Sequence, residues 1–187
     1  VRERARRALI AEAERALAYQ RGNAFGLTAE DPGRPQFIGF YSTAHGAVCL
    51  LRAHALTGDA RFLAGALAAS LFPLGANPSN LVYTSGLGSA CVKPLNLDAL
   101  ATGQAPPIGL TPYGNIDLQR WGTGADSGWI TWPITWFLGP RTQPECFAWP
   151  VAEAYWDVRG SPSYNEFCID QTMGPNAYVW GYLAARP

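Results

Sequence analysis

The chain has 187 residues, 48% hydrophobic, 12% aromatic and 15% charged, and its 14 basic and 14 acidic side chains cancel. That is long enough for one domain with a buried core, too apolar for a disordered tail, and without the net field that holds nucleic acid or an anionic membrane surface. No apolar run reaches the roughly 18 residues of a spanning helix, because Ser70 and Pro73 interrupt the best candidate over 63–74, so neither nucleic acid nor membrane is an expected partner.

Helical patterning is already running at the first residue. Over 1–19, Ala5, Ala8, Leu9, Ala13, Ala16 and Leu17 recur at three and four residues with Arg and Glu on the other face, the signature of a solvent-faced amphipathic helix. The chain begins at Val1 with no Met and no helix start signal, so it reads as cut from something longer, and the four arginines of 1–7 lead into no apolar signal core. Residues 20–41 are irregular, broken by Gly22, Gly26, Pro32, Gly33, Pro35 and Gly39. A second helix follows, with Ser42 or Thr43 as N-cap, Ala44, Ala47, Val48, Leu51 and Ala55 as its apolar positions, and Gly58 as its stop. Asp59 caps a third at once, through Phe62, Leu63, Ala66, Leu67 and Leu71, ending near Gly75 before Asn77-Pro78. A stop and a start this close predict an antiparallel helix hairpin over 44–74.

Residues 76–145 are dense in glycine and proline and show no sustained period, which in a compact domain points to a functional loop region. A short helix is predicted within 144–159 from Pro150, Val151, Ala154 and Tyr155. The segment 165–185 is apolar nearly all round (Phe167, Ile169, Met173, Ala177, Val179, Trp180, Leu183) and predicts a buried helix kinked at Gly174-Pro175. The fold class is therefore all-α, and paired helices with long loops at one end suggest a helical toroid.

Most catalytic chemistries fail on residue type. His45 and His54 are nine residues apart on one helix and point roughly 180° from each other, so they share no site. Cys49, Cys91, Cys146 and Cys168 form no C-x-x-C pair, which gives a zinc site little support. Cys49 and Cys168 read as small buried hydrophobes, and Cys91 and Cys146, on loops, are able to pair in an oxidising compartment. No nucleophile elbow, phosphate loop or dinucleotide fingerprint stands in a usable context, and no cofactor or metal is implied. Carboxylates remain. Glu166, in Tyr164-Asn165-Glu166-Phe167, is expected at the start of the most apolar helix. The helix dipole favours an acid there and lowers its pKa, whereas a general acid needs the opposite shift from aromatic surroundings or a second carboxylate. Aromatic rings on loops suit the C–H faces of a sugar, with hydroxyls bonded by Asn, Asp and Tyr. Tyr83, Tyr113, Trp121, Trp129, Trp132 and Tyr164 are the candidate rings. Asp98 serves equally as a turn residue or a substrate contact, and Asp126, between Gly124 and Gly128, as a turn residue.

Read in order, Leu56-Thr57-Gly58-Asp59-Ala60-Arg61-Phe62-Leu63, Leu74-Gly75-Ala76-Asn77-Pro78, Tyr83-Thr84-Ser85-Gly86-Leu87-Gly88 and Asn165-Glu166-Phe167 resemble the C-terminal part of a family 9 glycoside hydrolase (cellulase/endoglucanase-like). The resemblance covers roughly 37–186. It implies an (α/α)6 barrel of which this chain is the C-terminal portion, a β-linked polysaccharide substrate of cellulose or β-glucan type, hydrolysis with inversion, and secretion. It makes Glu166 the catalytic acid. The stretch Pro94-Leu95-Asn96-Leu97-Asp98 with Gly103, Pro107, Gly109, Tyr113 and Gly114 is similar to the substrate-facing loop. The implied substrate contacts are Tyr83, Asn96, Asp98, Tyr113, Trp129 and Tyr164. Two departures follow. Asn96 stands where family members commonly carry a sugar-contacting His, and no His lies beyond residue 54. The family's catalytic base, an Asp in a D-A-G-D type motif of the N-terminal half, has no counterpart in this chain. Inversion needs both carboxyl groups about 6.5–9.5 Å apart, so the fragment alone is expected to be inactive, its partner being the missing half of its own barrel, and to expose apolar surface which that half would bury. Two alternatives are a carbohydrate-binding barrel that has lost hydrolysis and a helical interaction scaffold.

Overall fold

The computed structural model describes residues 1–28, 46–93, 103–105, 107–122, 128–158 and 162–186. The first three helices form where period and caps predict them: α1 (Arg2–Arg21), α2 (Gly46–Thr57) and α3 (Ala60–Leu71). Gly58 ends α2 with its N–H on the His54 carbonyl at 2.8 Å and a left-handed φ of 73°, which only glycine adopts without strain. The Asp59 carboxylate then caps α3 by accepting the Arg61 N–H at 2.9 Å.

Alanine and glycine let these helices approach closely. Ala13, Ala16 and Leu17 of α1, Leu50, Leu51 and Ala53 of α2, and Phe62, Ala66 and Ala69 of α3 share one buried core with Val179. A Cβ on Gly65 would lie 2.4 Å from Leu17 Cδ2, so α3 sits on α1 because that position has no side chain. Gln20 adds a polar strap, donating from Nε2 to the carbonyls of Gly26 (2.6 Å) and Gly65 (2.8 Å).

The second half of the chain is built differently. A short α4 (Leu118–Trp121), α5 (Gly128–Leu138), 3₁₀ turns at Gly139–Arg141 and Cys146–Ala148, α6 (Pro162–Asn165), a π-helical turn (Ile169–Met173) and α7 (Gly174–Ala184) are connected by extended segments. Among the described residues β-pairing is confined to isolated bridges, Leu74 with Val82 and Val82 with Cys91. A second core lies beneath these segments, made by Phe72, Tyr83, Val92, Ile116, Leu118, Ile134, Leu138, Tyr155 and Tyr164. Phe72 joins the two halves: at the C-cap of α3, its ring stands edge-on to Phe25 at 5.7 Å and to Tyr83 at 5.9 Å.

Three sequence expectations are corrected. The stretch expected to lack periodic structure contains α5, whose sequence GWITWPITWFL has two threonines and no charged residue and so has no polar face to reveal a period. The helix expected within 144–159 is a 3₁₀ turn followed by a single α-turn closed by Ala154 N–H on the Pro150 carbonyl at 3.0 Å. The continuous buried helix over 165–185 is broken over 166–168, and α7 buries Asn176 and Val179 while Tyr178 stays exposed. Among the described residues no disulfide joins Cys49, Cys91, Cys146 or Cys168, and no helix is long and apolar enough to cross a membrane.

Phe72→Ala should lower the unfolding free energy by about 3–5 kcal/mol in urea denaturation. Leu67→Ala, on the exposed face of α3, should stay within about 0.5 kcal/mol of the parent.

Candidate functional site

Three loop segments lie side by side on the second core. The first is the Tyr-x-x-Gly-x-Gly stretch over 83–88. Its Ser85 is buried and grips the second segment four times: Ser85 N–H donates to the Leu110 carbonyl (2.8 Å), the Ser85 carbonyl accepts from Gly109 N–H (2.8 Å), the hydroxyl donates to the Pro107 carbonyl (2.5 Å), and the same oxygen accepts from Leu110 N–H (3.0 Å). Thr84 and Thr111 pair through their hydroxyls at 2.8 Å. Gly86 is required twice over, by a φ of 71° and because a Cβ there would meet Ile108 Cγ1 at 2.7 Å.

The second segment continues from Thr111 to Ile116 and reaches the third, which carries Glu166. Tyr113 N–H donates to the Glu166 carbonyl at 2.9 Å, and Gly114 N–H reaches the Tyr164 carbonyl at 3.4 Å. Thr111 N–H donates to Met173 Sδ at 3.5 Å. Thr172 closes the π-helical turn below: its hydroxyl donates to the Cys168 carbonyl at 2.9 Å and accepts the Cys168 N–H at 3.0 Å. A backbone ladder thus runs from the first motif, across the central segment, to the residue bearing the carboxyl.

Glu166 lies outside any helix, between α6 and the π-helical turn, and is exposed. Cys168 is extended with φ −141° and ψ 138°, so the helix start expected to act on the Glu166 carboxyl is not next to it. Tyr113 is half-buried beside it. Tyr83 and Tyr164, expected to face substrate, are each 0% exposed, and act as pillars instead. The Tyr83 hydroxyl donates to Asn115 Oδ1, and Asn115 Nδ2 donates to the carbonyls of Val151 and Ala152, both at 3.0 Å. The Tyr155 ring stands 4.8 Å from Tyr83 and 5.8 Å from Tyr164, and Trp156 flanks Tyr164 at 5.9 Å. Burial pushes all three phenols above their ordinary range. Next to Tyr164, Asn165 donates through Nδ2 to the Val158 carbonyl and is buried. Asn96 and Asp98 lie outside the described residues, as do Asp126 and His45, and Trp129 is described only as a residue of α5. The segment bearing Asn96 and Asp98 leaves from Lys93, whose N–H is held by Asp157 Oδ2 at 3.1 Å.

Asp157 has no signal in the sequence pattern, and neither does the clamp role of Ser85, because both depend on segments remote in the chain. Asp157 accepts from Lys93 N–H and from the Tyr155 hydroxyl at 3.3 Å. Burial nevertheless raises its pKa, outweighing those hydrogen bonds and the Lys93 charge. Among the described residues no group of three or more His, Cys, Asp or Glu stands together to hold a metal ion. The arrangement therefore offers one solvent-facing carboxyl on a cross-braced backbone, over a floor of neutral aromatic rings.

A carboxyl whose folded pKa is raised binds its proton more tightly in the folded state, so its contribution to stability is complete below the unfolded value of about 3.9 and is lost as pH rises through the folded value. Asp157→Asn should therefore flatten the fall in unfolding free energy above pH about 4, measured by chemical denaturation across a pH series. An unchanged slope would show that Asp157 does not contribute to it.

No protein-family model matches the sequence, and no curated protein does. Solved structures match by fold. A metagenome-derived glycoside hydrolase family 9 endoglucanase is similar at TM-score 0.69 and 22% identity, over 95% of this chain and 28% of that one. The GH family 9 endoglucanase J30 is similar at TM-score 0.71 and 23% identity, over 93% and 29%. AaCel9A, solved in complex with cellobiose-like isofagomine, is similar at TM-score 0.71 and 20% identity, over 99% and 32%. At these identities the likeness is one of fold, and the chain spans less than a third of the length of each structure.

Proposed function

We propose that this chain is the C-terminal portion of an (α/α)6 barrel that hydrolyses β-linked glucan with inversion, and that Glu166 is its general acid. The observation that carries the reading is the coincidence of two independent things. The motifs Tyr83 to Gly88, Gly109 to Gly114 and Asn165-Glu166 fold into one three-segment ladder, and the fold around them is shared with family 9 endoglucanases.

In this reading Glu166 gives its proton to the departing glycosidic oxygen. A second carboxylate, supplied by the part of the barrel outside this chain, draws a proton from a water on the opposite face of the sugar, at the roughly 6.5–9.5 Å separation that inversion requires. The chain by itself then binds without turning over. The exposure of Glu166 fits a groove whose far wall comes from that other part, which would also desolvate the carboxyl and hold it protonated. Tyr113, paired with Glu166 through the backbone, is the ring proposed to take a sugar face, and Asn96, Asp98 and Trp129 complete the proposed contacts. The cellobiose-like ligand of AaCel9A supports a β-linked glucose unit as the substrate element. A polymer of that kind does not enter cells, so the enzyme acts outside them.

Glu166→Gln in a protein carrying this chain with the complete barrel should lower turnover of soluble β-glucan by at least about 10²–10⁴-fold while glucan binding persists, read by reducing-end release and by calorimetry. Undiminished turnover would remove Glu166 from the mechanism. Binding without turnover in the parent itself would favour the carbohydrate-binding alternative.

A further inference from the structure

The irregular segment 154–158 touches all three segments of the ladder and also Lys93, the residue from which the chain leaves for Asn96 and Asp98. Its own backbone makes only short local turns, with Tyr155 N–H on the Glu153 carbonyl at 2.9 Å and Val158 N–H on the Trp156 carbonyl at 2.8 Å. Other polar groups of the segment bond to remote parts of the chain. On one side the Asp157 carboxylate accepts the Lys93 N–H at 3.1 Å through Oδ2. On the other, the Val158 carbonyl accepts from Nδ2 of Asn165, which is 1% exposed and immediately precedes Glu166. Between them the Ala154 carbonyl is reached by Ile116 N–H, from the central segment, at 3.4 Å. The Tyr155 ring, against Tyr83 and Tyr164, and the Trp156 ring, against Tyr164, fix the segment to the second core. Each of these contacts joins groups of this chain, and none depends on which surfaces the rest of a barrel covers.

We propose that segment 154–158 is a two-sided brace, in which Asp157 positions the start of the substrate-facing stretch at Lys93 and Val158, through Asn165, positions Glu166. The proposal rests on the hydrolase reading above. Asp157 and Val158 are neighbours, so the supports of the two sides stand only about 3.8 Å apart along one chain, measured between Cα atoms. A proton donor is effective only if its carboxyl is held within a fraction of an ångström of its place relative to the sugar. On this reading the stretch beyond Lys93 helps to place the sugar and the loop beyond Asn165 places the acid, and a common support keeps one in register with the other. The chemistry at 157 suits an anchor. A neutral acceptor there would avoid the desolvation that burial imposes on the carboxylate, and what the charge adds is a hydrogen bond roughly twice as strong as a neutral one. The two sides also have separable jobs: Asp157 acts on binding, and Asn165 acts on proton transfer.

The test uses a protein carrying this chain with the complete barrel and two substrates, cellohexaose and dinitrophenyl β-cellobioside, whose acidic leaving group departs without a proton. Asp157→Ala should raise KM for cellohexaose about tenfold and leave kcat within about twofold. Asp157→Asn keeps an acceptor for the Lys93 N–H and should stay within about threefold of the parent KM. Asn165→Ala should do the reverse, lowering kcat on cellohexaose about 10²-fold while activity on the dinitrophenyl substrate stays within about threefold of the parent. A loss of folded protein moves neither readout, because KM and the ratio of activities on the two substrates are independent of the folded fraction. Should an alanine variant fail to fold, Asp157→Ser or Asn165→Ser, which lack the reach for the same bonds, carry the same expectation. An unchanged KM in Asp157→Ala, a KM in Asp157→Asn as high as in Asp157→Ala, or an Asn165→Ala loss equal on both substrates overturns the brace. Turnover that survives Glu166→Gln overturns the hydrolase reading instead, and a parent that does not cleave cellohexaose overturns both.

Discussion

Everything proposed for Glu166 depends on the backbone hydrogen bond between Tyr113 N–H and the Glu166 carbonyl. The residue sits in a non-helical break, where the chain has no intrinsic preference to hold a side chain still. Pairing from one side and the Thr172 closure of the π-helical turn from the other replace that missing preference. π-Helical turns interrupt helices most often where a site requires it. Here the interruption turns the backbone of 166–168 outward before α7 resumes, so that the carboxyl faces solvent and the chain still returns to the helical core through Val179.

The two cores divide the work. The helical core is made largely of alanine and leucine with a glycine at the closest approach, and its rigidity comes from close packing. The second core is aromatic and polar by turns, with Asn115, Ser85 and Asp157 each satisfying backbone groups of segments that have no regular partner, and Tyr83 holding Asn115 in place. Irregular backbone can be buried only where its N–H and C=O groups are paired, which explains why a loop-rich region contains so many buried polar side chains. It also explains the aromatic content: large flat rings fill the spaces between loops that regular elements would otherwise occupy.

The helices with ends marked by chemistry were legible in advance. Gly58 and Asp59 delimit α2 and α3, and α1 shows its 3.6-residue period plainly. Periodicity fails where neither face is polar, as in α5, with Trp132 and Trp136 outside and Ile134 and Leu138 inside. It also fails where a helix is broken by a side-chain to backbone bond, since Thr172 looks like any other residue in a helical run. Loop aromatics were ambiguous for a related reason. Tyr83 and Tyr164 are as suited to a sugar surface as to a core, and only the placement of Asn115, Tyr155 and Trp156 around them decides it. The order of motifs, by contrast, carried the relation between Ser85, Tyr113 and Glu166, although these residues stand 28 and 53 positions apart in the chain.

The attachment of the segment between Lys93 and Pro107 has a consequence for how such a protein diversifies. Asp157 holds its entrance and Ser85 holds its exit, and neither anchor belongs to the segment itself. Lengthening or shortening the stretch between them leaves the Tyr113 and Glu166 ladder in register, and the closure entropy of a longer excursion grows only logarithmically. On the proposed reading, side chains in that segment can change while Glu166 keeps its place, a separation of novelty from constraint that lets ligand range drift without rebuilding the ladder.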